Sequence, residues 1–213
     1  MVHTKRLLCT LDHVPARGDH DAKRREVSEA VWRVLAARGF GGLTLRAVAT
    51  EMGASTGLLT HYFPTKQALV LHAVEIADER TAARPLRTPA AEGIDALRAA
   101  LLDVLPLTPE MTAMSRVWVS FWDGALGDAE LGASQTARYV RWRNRLRPHA
   151  EAAQQRGQLA PSANADELVA ICAAFTHGLV VQALFDPGRF PPRRQTRLLD
   201  RFLAGLSPDS PAA

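Results

Sequence analysis

Between Leu43 and Lys66 the chain opens three helices in quick succession, and no other stretch constrains its fold as much. Thr44, Ser55 and Thr65 each read as an N-cap, a hydroxyl that accepts the free N–H groups of a helix's first turn. Gly53 stops the first of these helices two residues before Ser55 opens the next. Pro64 closes that second one, because proline disfavours helical geometry in the residue before it. The turns so opened hold Arg46, Thr56 and Lys66, where the helix dipole favours acids. From Ala30 to Val74 the only acid is Glu51. Cations at positive helix ends imply an anionic partner, and helix N-termini are natural phosphate sites. Double-stranded DNA is the partner that fits.

Charge is distributed accordingly. The formal net charge is +4. Residues 1–66 hold ten Lys/Arg against six Asp/Glu, while residues 67–213 balance at sixteen of each, so the excess lies in the N-terminal third. A solvated basic surface is the plainer alternative, and charge alone does not separate the two. Hydrophobic content of 47% in 213 residues allows a sizeable core in one or two domains. No apolar run approaches the roughly 20 residues of a membrane span. The apolar stretch near Met1–Asp12 is too short and too soon broken for a signal peptide, which implies a cytoplasmic protein with no membrane partner. Cys9 and Cys172 lie far apart and make neither a disulfide framework nor a metal cluster.

No segment reads as a strand, and the chain is expected to be all-α. Residues 1–18 read as a flexible N-terminal tail, with Lys5 and Arg6 as a minor-groove arm in the sharper reading. Residues 19–66 form a helix-turn-helix unit of three helices, residues 67–84 a connecting helix, and residues 85–213 a helical body for ligand binding and dimerisation. Val27, Ala30, Val31, Val34 and Leu35 give the first helix its buried stripe, and Gly39 its stop. Arg84–Pro89 reads as a hinge. Helices follow at roughly 90–105, 109–126, 128–156, 164–185 and 192–206, punctuated by glycine and proline.

In a helix-turn-helix the second helix lies in the major groove with its N-terminal residues at the base edges. Here it offers Ser55, Thr56, Gly57, Leu58, Thr60 and His61. Gly57 costs a helix about 1 kcal/mol against alanine, which close backbone approach to DNA would explain and tolerance in a frayed turn would also explain. Leu59 and Phe63 are spaced to face inward, and Leu58 outward toward a thymine methyl. Arg46 and Thr56 are the base-reading candidates, and Thr60 and His61 reach base or phosphate. Thr44, Tyr62 and Lys66 suit phosphates, which fix position without reading sequence.

The run Ala36-Ala-Arg-Gly-Phe-Gly-Gly-Leu-Thr-Leu-Arg-Ala-Val-Ala49, followed by Met52-Gly-Ala-Ser-Thr-Gly-Leu-Leu-Thr-His-Tyr-Phe-Pro-Thr-Lys-Gln-Ala-Leu69, resembles the DNA-binding domain of the TetR family of bacterial transcriptional regulators. That resemblance implies DNA contacts at Thr44, Arg46, Ser55, Thr56, Gly57, Thr60, His61, Tyr62 and Lys66. Thr60 stands where many members carry tyrosine. Farther on, Trp118–Leu131, Arg156–Leu159 and Gly178–Pro187 are similar to the BetI-like branch. That branch includes choline-responsive repressors, yet His177 stands where it often has an acid, and choline itself is not carried over.

The sixth helix presents Met111, Met114, Ser115, Trp118, Phe121 or Trp122, and Ala125 on one broad face, which suits either an apolar ligand pocket or ordinary core packing. His177 and Gln182, on an otherwise apolar helix, are the candidate polar fixings, with Phe175 as a further contact; a core or interface histidine is the alternative for His177. In the last helix Leu198, Leu199, Phe202 and Leu203 recur at helical spacing. With Leu179 they form the candidate face of a two-fold dimer, which the resemblance also implies. The reading is a homodimeric repressor released from a palindromic operator by a small-molecule effector, with no cofactor and no metal. A constitutive or redox-responsive DNA-binding regulator is the alternative. An enzyme housed in the body is a third class, for which Ser115, Ser120, Asp123 and His177 supply reactive groups without a catalytic spacing.

Overall fold

Residues 17–84, 92–160 and 164–207 are described in the computed structural model, with side chains described from residue 22. Among them are nine helices and no strand. The helices are α1 (Arg17–Arg38), α2 (Leu45–Met52), α3 (Thr56–Tyr62), α4 (Lys66–Ala83), α5 (Ile94–Leu102), α6 (Pro109–Gly127), α7 (Ala129–Gln155), α8 (Ala165–Phe185) and α9 (Pro192–Ala204). The expected tail lies almost wholly outside the described residues, as does nearly all of the expected hinge, apart from Arg84.

Two apolar cores organise the chain. The first gathers Val31, Leu35, Leu43, Val48, Leu59 and Leu69 from α1–α4 and the connecting turns, and it continues into the body through Val117, Trp118 and Phe121 of α6. The head is therefore seated on α6 by shared core. At this seat Gly39 takes a left-handed φ of 64°, which ends α1 and turns the chain toward α6. The Phe40 N–H donates to Ser120 Oγ at 3.1 Å, Ser120 Oγ–H donates to the Val117 carbonyl at 2.8 Å, and the Phe40 and Phe121 rings lie 4.9 Å apart.

The second core fills the body with Leu97, Leu101, Leu146, Leu168, Val169, Leu179, Leu199 and Leu203 from α5, α7, α8 and α9. α8 is the apolar spine of this region. By length and composition it could cross a membrane, with a mean hydropathy of 2.0 over its most apolar window, which corrects the expectation that no segment comes near that limit. Here it packs against α5, α6, α7 and α9, with 44% of that window buried.

Candidate nucleic-acid interface and body pocket

The three helix starts in the head are capped as their hydroxyls require. Thr44 Oγ1 accepts from the Ala47 N–H at 3.1 Å, Ser55 Oγ from Leu58 at 3.3 Å, and Thr65 Oγ1 from Ala68 at 3.0 Å. None of the three first turns holds an acid. Gly53, at φ 63°, ends α2, and the Ala54 N–H reaches back to the Ala49 carbonyl at 2.9 Å, which closes the turn into α3. Glu51, the lone acid of the stretch, accepts from Arg33 Nε of α1 at 2.6 Å, so its charge is matched within the protein.

Thr44, Arg46, Ser55, Thr56, Gly57, Thr60, His61 and Lys66 are all exposed, on the α2–α3 unit and the start of α4. Tyr62 is half-buried against the head core, with its ring 5.7 Å edge-on from His61. Leu58 corrects the sequence reading. Rather than pointing freely outward it is half-buried against the head core, because a seven-residue helix packed on α2 turns more than a narrow stripe inward. Thr60 Oγ1 donates to the Thr56 carbonyl at 2.9 Å, so its proton is engaged within α3 and its lone pairs remain for an external donor. A Cβ added at Gly57 would meet only Ser55 Oγ, at 3.8 Å, so nothing inside the protein demands glycine there.

In the body, a cleft of about 500 Å³ opens between α4, α5 and α7 and reaches His177 of α8, with a smaller cavity of about 70 Å³ adjoining it at α6. Of the effector residues expected from sequence, Met114, Trp118, Trp122 and His177 line this space. Met111 and Phe121 do not: both are buried, and Phe121 serves the seat of the head. Phe175 is turned toward α9, where its ring stacks on Phe202 at 4.1 Å. Gln182 is exposed, since it lies one turn and a little beyond His177 and has rotated off the packed face of α8.

Sequence reasoning missed the groups that dominate the pocket's chemistry. Arg138 of α7 donates through Nε to Asp78 of α4 at 3.2 Å, and Arg141 donates to the second oxygen of the same carboxylate at 3.2 Å. The Arg138 guanidinium lies 3.2 Å above the centre of the Trp118 ring, a close cation–π contact. Trp118 Nε1–H donates to Thr81 Oγ1 at 3.2 Å. Burial pushes the Arg138 pKa down to about 10 despite Asp78, which leaves it charged at neutral pH. His177 is ringed by Trp142 at 4.9 Å, Tyr139 at 5.2 Å and Trp122 at 5.5 Å. Burial, with the Arg138 charge in support, pushes its pKa down to about 4, so its imidazole is neutral. The available signal was Arg138, Tyr139, Arg141, Trp142 and Arg145 recurring at three- and four-residue steps along α7.

The expected dimer residues divide. Leu179, Leu199 and Leu203 are buried in the body's own core, at 6%, 0% and 5% exposure, and so are not free to meet a second subunit. Leu198 and Phe202 are half-buried. Among the described residues the exposed large apolar side chains are Ile171 and Phe185 of α8, with Ala174 and Gly178 between them, Leu126 of α6 and Val140 of α7. Apolar spacing marked the faces of α8 and α9 without telling which one the fold covers. Cys172 is fully buried, and burial pushes its thiol up to about 11, so it stays protonated and unreactive. Cys9, the other thiol of the redox alternative, lies outside the described residues.

Residues 28–73 match the family model for bacterial regulatory proteins of the tetR family, and residues 93–208 match that for the C-terminal part of BetI-type transcriptional repressors. The chain is 27% identical over 190 residues to the HTH-type transcriptional regulator PksA of Bacillus subtilis, covering 87% of this chain and 90% of that one. It is 25% identical over 194 residues to the regulator BetI of Burkholderia thailandensis, covering 89% and 96%. Among solved structures, a transcriptional regulator from Rhodococcus superposes with a TM-score of 0.74 at 24% identity over 85% of this chain and 94% of that one. A regulator from Saccharomonospora viridis, solved in complex with choline, superposes with a TM-score of 0.75 at 23% identity, covering 86% and 96%. These two show that the fold is shared.

Proposed function

The chain belongs to the TetR family of bacterial transcriptional regulators, with a BetI-type C-terminal half, and from that premise we propose that it is a homodimeric repressor released from a palindromic operator by a small-molecule effector. The observation that carries the reading is the exposed face of three capped, acid-free helix starts in the head. α3 enters the major groove from Ser55, with Arg46 and Thr56 at base edges and Gly57 admitting close backbone approach. Thr44, Tyr62 and Lys66 hold phosphates on either side. Residues 19–66 act as the reading unit, 67–84 as the link and 85–213 as the effector and dimer unit.

The second subunit docks on the exposed face of α8, with Ile171, Phe185, Leu198 and Phe202 as apolar contacts and Ala174 and Gly178 allowing the helices to approach. A two-fold pair reads half-sites about one helical turn apart, or a multiple of it. The effector occupies the cleft at Arg138 and His177. α6 carries its effect, because Met114, Trp118 and Trp122 line the pocket while Ser120 and Phe121 of the same helix seat the head. An effector shifts the equilibrium only by its differential affinity for the two head spacings.

Footprinting on DNA flanking the protein's own gene, with and without pooled metabolites, tests this. A symmetric protected site that is lost with metabolites is expected. Protection that persists in every pool favours a constitutive regulator.

A further inference from the structure

The effector pocket carries more positive charge than its own carboxylates match. Arg138, Arg141 and Arg145 line the cleft against Asp78 and Asp103. Arg138 and Arg141 divide the single carboxylate of Asp78, one oxygen each. Two residues that line the smaller cavity each carry a buried polar atom without a hydrogen-bond partner. Trp122 Nε1–H is a buried donor without an acceptor, and Asp103 Oδ1 is a buried acceptor without a donor, in a residue only 7% exposed. Buried polar atoms of this kind are normally satisfied, so each defines a complementary atom in what binds there.

One aromatic face is taken as well. A quaternary ammonium is bound by unobstructed aromatic faces that cage its charge. Here the Arg138 guanidinium covers Trp118 at 3.2 Å, and the rings of Trp122, Tyr139 and Trp142 close on the neutral His177. An ammonium entering this space would meet a fixed like charge where it needs an open ring.

We propose that the pocket takes a small planar monocarboxylate bearing a hydrogen-bond donor, and that it rejects quaternary ammonium compounds. This names the effector class of the pocket assigned above and rests on that assignment. The carboxylate pairs with Arg138 in the share of charge that Asp78 leaves unmatched, and one of its oxygens accepts from Trp122 Nε1–H. The ligand's hydroxyl or amine donates to Asp103 Oδ1. The positive field is already felt by His177, whose basicity Arg138 further lowers.

Calorimetric titration of the full-length protein with benzoate, 4-hydroxybenzoate and indole-3-carboxylate, with the three matching carboxamides and with choline, decides it. At least one carboxylate should bind about tenfold or more tighter than its amide, with the hydroxylated ring ahead of the plain one, and choline should not bind. Trp122→Phe, which keeps the ring and removes the N–H, should weaken the carboxylate several-fold with an unchanged melting temperature. Asp103→Ala, which removes the acceptor, should erase the advantage of 4-hydroxybenzoate over benzoate. Choline binding as tightly as any carboxylate, amides equal to acids, or no binding by any carboxylate would each overturn the proposal. Operator release is scored separately. A carboxylate that binds but leaves DNA affinity unchanged upholds the ligand class and contradicts the release reading, while release by choline alone contradicts the ligand class and upholds release.

Discussion

In the head, Arg46 and Lys66 stand exposed in helix turns that hold no acid, whereas in the body Arg138 lies mostly buried between a carboxylate and a tryptophan face. Both regions gather positive charge, and they do so with opposite physics. The head's cations keep their hydration and meet a partner of high charge density through exposed N–H groups and side chains. Arg138 has given up much of its water, so its interactions are stronger and fewer anions can reach it. One arrangement suits a long polyanion that must slide and be released, and the other a single small anion. Between them lies α6, which contributes to both the head core and the pocket wall.

The contrast breaks first if the seat between the two regions is not rigid. A side chain at Gly39 would take an unfavourable left-handed φ and set its Cβ 2.8 Å from Ser120. The φ penalty is about 1–2 kcal/mol and the overpacking about 1–3. Gly39→Val is therefore expected to lower unfolding free energy by about 3 kcal/mol in urea titrations, and a loss under about 1 kcal/mol would show a seat that yields.

Next in size is the acid response of the body. His177 has its pKa pushed from the ordinary 6.5 down to about 4. Between those values the unfolded chain binds a proton that the native protein does not, so stability is full above pH 6.5 and falls as the pH drops toward 4. Burial is incomplete, and the loss is expected to be roughly 2 kcal/mol by pH 4.5. Urea titrations at pH 7 and 4.5 check it, with His177→Phe losing less than the native chain. An equal loss in both would place the acid sensitivity elsewhere.

How legible these features were differs for a physical reason. The caps at Thr44, Ser55 and Thr65 obey a rule that operates over three residues, so a hydroxyl, an apolar stripe and a glycine or proline stop define them locally. The helices of the body were legible for the same reason. The pocket was not, because Asp78 and Arg138 are 60 residues apart and meet only once α4 and α7 pack. Burial choices were equally hidden. Leu199 and Phe202 share one apolar repeat, yet the first is fully buried and the second is not. Leu58 was read outward from spacing alone, and the packing of α3 on α2 turned it inward.

The smallest effect is the most discriminating for the head. Gly57 has open space around it, so Gly57→Ala should raise stability by up to about 1 kcal/mol through helix propensity. The same substitution should weaken operator binding about tenfold, equivalent to roughly 1.4 kcal/mol, by keeping the backbone from the groove. Gains in both stability and DNA affinity would mean that Gly57 is merely tolerated.

The central claim is that the acid-free helix starts are phosphate and base contacts, and the salt dependence of DNA affinity for Lys66→Ala and Arg46→Ala tests it most directly. Lys66→Ala should weaken binding to operator and unrelated duplex alike and reduce the slope of log affinity against log salt by about 1. Arg46→Ala should relax preference at one base pair of the operator. An unchanged slope for Lys66→Ala, together with an unchanged sequence preference for Arg46→Ala, would contradict the account.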